Sequence, residues 1–435
     1  MKSFYFKITL CLVLSGILFT RQLQAQQTRI FNTENSGLPH NWVTAIAIDA
    51  HGNKWFGTVN GELVKYDDVN WTVYNISNGL SITTIAIDQQ DNKWLGTEDY
   101  VFPDPGELIK FDNTGRTVYN SSNSGFPNTR VSAITFDSLG NTWIGTWGAG
   151  VLKFDGTKWT AYDNTNTSLS DNNIRSVAID KMGNKWIATG SEISKFNDTN
   201  WTTYSYSKSI IPYYNGNGGI NSIAFDKTGN KWFGVGGDWN IGAAGGVAEF
   251  DDVNWTLYDS SNSGLLYGVY SIAIDVQGNK WFVCNDGLHG AFAEFDGTTW
   301  TVYNSENSGF PDGTIESLVI DDKGNKWFTT WNSGVVKFNE NGITTGINGN
   351  ISVRSDNFTV YPNPAKDLIS INGLSMGMVQ VFNSSGQIVK SFQIERMQSK
   401  MDISNLVDGI YTVRVTTVDG VAAQKLLKIN NYLTQ

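Results

Sequence analysis

Reactive side chains are scarce in this chain. Its 435 residues include two cysteines and three histidines, and only 17% are charged. Cys11 falls in an N-terminal segment read below as removed, which leaves Cys284 alone and excludes an internal disulfide. His40, His51 and His289 are too few for a histidine-rich metal centre, and no HExxH, GxSxG, CxxC or P-loop pattern occurs. No catalytic residue, metal or cofactor is assigned. No long apolar run follows residue 19, so no transmembrane segment is expected in the mature chain. Basic residues are also outnumbered. Loss of Lys2, Lys7 and Arg21 with the leader takes the formal charge from −10 to −13, which makes nucleic acid a poor partner.

The leader is residues 1–25. A basic start precedes the apolar run ITLCLVLSGILF (8–19), and RQLQAQ offers a cut after Ala25. The run is short for a permanent span and reads as a secretory signal peptide. No cysteine stands at a lipoprotein cleavage site.

What is abundant is glycine, at 45 residues, and aromatics, at 13%. This mixture suits short strands joined by tight turns. One stretch, GNKWFGT at 52–58, returns with small changes around Trp55, Trp94, Trp143, Trp186, Trp232, Trp281 and Trp327. The mean spacing of about 45 residues is that of a four-stranded propeller blade. Each unit reads as an alternating apolar strand, an Asp-x-x-Gly-Asn turn, the tryptophan strand, a third strand like GVLKFD and a fourth like WTAY. The seventh unit ends after GVVKFN (334–339) without its fourth strand, while TRIFNTENSGLP (28–39) near the mature N-terminus matches WTVYNSENSGFP (300–311). The expected fold is all-β: a seven-bladed propeller over 28–342, closed by its N-terminal strand. The repeated tryptophans then fill wedges between blades, and Asp49, Asp88, Asp137, Asp180, Asp226, Asp275 and Asp321 accept turn N–H groups. A calcium role for these aspartates is disfavoured, since the dense oxygen ladder of a calcium loop is missing.

Function is expected where the units differ. The first-to-second and third-to-fourth connections are short and uniform. The fourth-to-first and second-to-third connections vary, and they share the other face. Four tryptophans outside the repeat, Trp42, Trp147, Trp239 and Trp331, lie in or beside these variable loops. Candidate ligand contacts are Trp147, Trp239, Trp331 and Tyr100, supported by Tyr213, Tyr214 and His289. Aromatic platforms among Asn, Asp and Gly suit sugar rings or an apolar peptide; the alternative is that these tryptophans cap blade ends. Glycoside cleavage needs only two carboxylates, and Glu98, Asp99, Asp104 and Asp238 are in the right loops. A structural adhesin is a third reading.

After Asn341 the tryptophans stop. Residues 343–357 read as a linker, and 358–435 as a small β-sandwich with a hairpin at 379–392. YPNPA (361–365), FNSSGQIV (382–389), DISNLVDGIYTVRV (402–415) and QKLLKI (424–429) together resemble the C-terminal sorting domain of the type IX (Por) secretion system of Bacteroidetes. The repeats resemble the two-component-regulator propeller family. The first resemblance implies export to the periplasm and then handling of the C-terminal domain by the outer-membrane type IX machinery, with the propeller at the cell surface or in the medium. The second implies an extracellular ligand surface, carbohydrate or protein. The chain departs from that family's usual sensor arrangement, since it carries no kinase or receiver region.

Overall fold

The computed structural model describes residues 27–99, 106–205, 219–237, 245–265, 267–285, 289–343, 359–372, 377–383, 388–394, 398–417 and 420–429. The leader, most of the linker, and Tyr100, Tyr213, Tyr214, Trp239, Asp104 and Asp238 lie outside them. The chain forms two compact units, 1–343 and 344–435.

The first unit is a series of four-stranded antiparallel sheets, seven among the described residues. Six are built from consecutive strands; the first holds Val43–Ile48, Lys54–Thr58, Glu62–Tyr66 and Trp71–Asn75. The remaining sheet joins Ile315–Ile320, Lys326–Thr330 and Val335–Phe338 to the chain's first strand, Thr28–Phe31. Thr28 pairs with Phe338 and Phe31 with Val335. One helical turn, Ser305–Ser308, follows a strand where the repeat carries Asn-Ser-Glu-Asn-Ser-Gly.

Each sheet is held by the same device. The Asp before the first hairpin turns one carboxylate oxygen to the backbone N–H groups of that turn, as Asp137 does to Leu139 and Asn141. Its other oxygen accepts the indole N–H of the tryptophan six residues on, at 2.8–3.2 Å in all seven sheets. Burial alone would raise these carboxyls. The indole, the Asn amide and the turn donors overcome it at Asp49, Asp88, Asp137 and Asp180, and hold each below its usual value.

Six of the seven tryptophan faces are covered by a lysine of the next sheet, the exception being Trp94, opposite which the third sheet carries Thr142. The lysine of the next sheet's Asn-Lys-Trp stretch lays its ammonium over the preceding indole: Lys93 over Trp55 at 4.5 Å, Lys326 over Trp281 at 3.9 Å and, from the first sheet to the last, Lys54 over Trp327 at 5.0 Å. Neighbouring sheets also approach closely. A Cβ on Gly57 would lie 2.6 Å from an Ile82 methyl of the next sheet, so glycine is a packing requirement at that joint.

The second unit has a three-stranded sheet (Thr359–Tyr361, Leu368–Asn372, Gln398–Asp402) and a four-stranded one. The latter contains the hairpin expected at 379–392, seen as Gly377–Phe382 paired with Ile388–Ile394. Val360, Ile369 and Ile371 of one sheet share a core with Val379, Val413 and Leu426 of the other.

Two predictions test this packing. Phe31 stacks on Trp327 at 5.7 Å and is packed among residues of the first sheet, including Phe56 and Tyr66. Phe31→Ala should cost about 3–5 kcal/mol, and removal of residues 28–31 should lower the melting temperature further; a melting curve unchanged by the removal would contradict the joint. Asp137→Ala strands the buried Trp143 N–H and should cost about 1–3 kcal/mol, measured by urea unfolding, with Asp137→Asn retaining part of that stability.

Candidate functional site

The first strands of successive sheets lie side by side, and that of the last sheet also touches that of the first. Near its start each first strand breaks alternation. The register slips between Val43 and Ala45, Ile82 and Thr84, Val131 and Ala133, Ile220 and Ser222, Val269 and Ser271, and Ile315 and Ser317. In the fourth sheet the ladder begins at Ser176, just after the equivalent Arg175. An extra residue at a bulge leaves the pleat and re-aims its side chain. The seven residues so placed are Thr44, Thr83, Ser132, Arg175, Asn221, Tyr270 and Glu316, and all are half-buried.

The first three are short hydroxyls, each donating to a carbonyl of the following sheet. Thr44 Oγ1 reaches Ile82 O at 2.5 Å, Thr83 Oγ1 reaches Val131 O at 2.7 Å and Ser132 Oγ reaches Ile174 O at 2.5 Å. The other four are larger. Arg175 Nη1 donates to Asn221 Oδ1 at 2.8 Å, and burial pushes the guanidinium down from arginine's usual value. Glu316 is pushed up to about 7, by burial first and by the negative charge of Glu98 second, while the Trp42 indole N–H and Arg130 act in the opposite direction. It is therefore largely protonated in mildly acidic water.

Above this tier sit the residues just before each first strand. Trp42 packs against Trp331 with ring centroids 5.0 Å apart. Arg130 stacks on Trp147 at 4.9 Å and pairs through Nε with Glu98 Oε2 at 2.7 Å. Glu98 is buried, yet its partner Arg130 is 37% exposed on its side chain. The arrangement offers indole faces beside one carboxylate held by arginine and one carboxyl whose ionisation is pushed up to about 7.

Trp147 and Trp331 stand directly after second strands, as expected, but on the third and seventh sheets. They are 43% and 40% exposed, whereas the seven repeat tryptophans are 5% exposed or less. His289 is exposed. The bulge residues escaped sequence reasoning, because variation was sought in loops and these lie inside strands or, for Arg175, directly before one. The signal was present: at one position of an otherwise repeated strand the residue changes from Thr to Arg, Tyr and Glu.

The short-turn face carries a groove of about 740 Å³ lined by residues that include Trp55, Tyr74 and Lys93. There Asp49, His51 and Asp91 bring possible metal-ligating atoms within 4.8 Å of one another. Asp49 is already occupied by the indole and turn donors, and Lys93 Nζ sits 2.9 Å from Asp91 Oδ2, where a cation would bind. The donor set is thus spent on folding.

Comparison with known proteins places this geometry. Residues 359–429 match the secretion system C-terminal sorting domain, and residues 125–148 match the two component regulator propeller. No curated protein matches the sequence. Among solved structures, the extracellular domain of the hybrid two component system BT3049 from B. thetaiotaomicron is 18% identical, with a TM-score of 0.60 over 93% of this chain and 57% of that one. PorZ, a surface component of the type-IX secretion system of Porphyromonas gingivalis, is 19% identical, with a TM-score of 0.53 over 92% and 61%. Streptogramin B lyase is 14% identical, with a TM-score of 0.56 over 72% and 97%. These identities speak to fold alone, and the chain spans less than two thirds of the first two structures. The sorting domain marks the chain for the type IX secretion machinery, and so for secretion and the outer cell surface. No helix among the described residues is long and apolar enough to cross a membrane. By these matches the chain joins two component regulator propeller repeats to a type IX secretion C-terminal sorting domain.

Proposed function

We propose that residues 28–342 form a closed seven-bladed propeller, displayed or released outside the cell with 358–435 as its sorting domain, that binds carbohydrate on its variable face. The pairing of Thr28–Phe31 with the last sheet and the Lys54–Trp327 contact support closure. A carbohydrate ligand is favoured over a protein one by a single observation: Trp147 and Trp331 keep roughly two fifths of their surface open beside charged and amide groups. Stacking on a half-open indole with polar groups at its rim is how sugar rings are held. Tyr100, Tyr213, Tyr214, Trp239 and His289 complete the proposed contact set from neighbouring loops. The two component regulator domain and PorZ are likewise extracellular or surface proteins of this fold.

Polysaccharide cleavage is the second reading, and Glu98 with Glu316 favours it. One carboxyl is paired with arginine and the other is raised to about 7. Two carboxyls driven apart by their environments are the pattern of an acid–base pair.

The mature chain should therefore give hits on a glycan array that Trp147→Ala weakens by about tenfold or more, the scale of one lost base-stacking or ring-stacking contact. Silence across a broad array, with capture of a surface protein instead, would overturn the carbohydrate reading. If cleavage occurs, Glu316→Gln should abolish it while the glycan still binds.

Glu316 also makes a pH prediction. Its ordinary value is about 4.3, so its raised folded value favours the neutral form in the native state. Stability is then lost as pH rises from about 4.3 through 7. Glu316→Gln does not titrate, and its melting temperature should exceed the parent's by a margin that grows between pH 4.5 and 7.5. A margin independent of pH would contradict the assignment.

A further inference from the structure

Arg175 is the group that the fold leaves unbalanced. Among the described residues its guanidinium has one hydrogen-bond partner, the neutral Asn221 amide oxygen, and no carboxylate within ion-pair distance. Arg130, by comparison, has Glu98 at 2.7 Å. Asp171 and Tyr270 act on it only from beyond ion-pair distance. A half-buried guanidinium with no close counter-charge is costly, and the joint between sheets does not require it. Ser132, at the same position one sheet earlier, makes the equivalent link with a hydroxyl.

The free edge of Arg175 is also open. The residue directly after the second strand is Trp147 in the third sheet and Trp331 in the seventh, but Gly190 in the fourth. Among the described residues, a Cβ on Gly190 would meet within 4 Å only Nε at 3.9 Å and Nη2 at 4.0 Å. The Nη1 donor is thus directed to Asn221, while Nε and Nη2 face a space that any larger residue at 190 would occupy. That pair of parallel N–H donors matches the two oxygens of a carboxylate. The Tyr270 side chain interacts with the same guanidinium.

We propose that the Nε/Nη2 edge of Arg175 binds a carboxylate of the ligand, and that the glycan taken by this face is an acidic one bearing hexuronate units. This rests on the carbohydrate reading above: the indoles hold the rings, and Arg175 selects the charge. Tenancy by a uronate would also bring a carboxylate closer to Arg175 than Asp171, which acts on it only at longer range.

The test is calorimetric titration of the mature full chain with a hexuronate oligosaccharide and with the same oligosaccharide carboxyl-reduced to the neutral sugar. The acidic form should bind at least about tenfold more tightly, the scale of a charge-assisted hydrogen bond, and the preference should weaken with added salt. Arg175→Gln should bring the acidic form down to the affinity of the reduced form. Arg175→Lys, which keeps the charge without the fork, should recover part of the preference, and unchanged melting of both variants would show that they fold. Equal affinity for the two forms, or a preference that survives Arg175→Gln, overturns the inference and leaves the carbohydrate reading standing. Binding of neither form while neutral glycans bind elsewhere on the array has the same meaning. If no sugar of any kind binds, both readings fall together.

Discussion

The hydrogen bond from each tryptophan indole to the aspartate six residues earlier is what the rest of the first unit depends on. Wedges between sheets call for a large, flat apolar group, and tryptophan fills them with more area than any other side chain. Its N–H is then buried and must be satisfied. Asp137 satisfies Trp143 from within the same hairpin, at 2.9 Å. A buried carboxylate brings its own cost, which the turn N–H groups and the Asn141 amide offset. The Asp-x-x-Gly-Asn-x-Trp stretch therefore satisfies its indole and turn donors from within one hairpin, although Asn230 and Asn279 turn their amides to Glu249 and Glu294 of the third strand. Such a unit can be copied along a chain without adjustment, and the next sheet's lysine over the indole face adds the link between copies.

A joint solved locally leaves other positions free to differ. The bulge at the start of each first strand lies outside the strand ladder, so its side chain is not fixed by pleat or core. A hydroxyl suffices to reach the next sheet, as Thr44, Thr83 and Ser132 show. Fold and function are thus separated by position within one strand: the ladder residues repeat, and the bulge residue varies.

This separation explains what could be read from the sequence. The repeat, the offset that gives the last sheet its fourth strand from residues 28–31, and the short-turn face were legible because hairpin chemistry is local. The hairpin of the second unit was legible for the same reason. Placement of Trp147 and Trp331 on the variable face followed from strand order, although their partners, Arg130 and Trp42, did not. Those pairings depend on how successive sheets turn against one another, which no local pattern encodes. Nor did the sequence display the Lys54–Trp327 contact, since the two lie 273 positions apart. The bulge tier was missed because a polar residue inside an apolar strand looks like ordinary alternation until the register slip is seen. Thr44 between Val43 and Ala45 is such a case.

The bulge tier is not uniform, and its asymmetry carries an argument about function. Sheets one to three keep short hydroxyls that are spent on the joint. Sheets four to seven carry an arginine, an amide, a phenol and a carboxyl at the same positions, which do more than a joint requires. Charged and titratable groups in half-buried surroundings oppose folding unless something compensates them. Arg175 and Glu316 are each displaced from their usual proton affinity by burial, in opposite directions, and both results favour the neutral form. A chain that can close the same joint with serine does not need a charged side chain there. On the function proposed above, a ligand that enters from the variable face and is polar along one side would account for the presence of these residues: the hydroxyl side would give it room, and the side from Arg175 to Glu316 would give it partners.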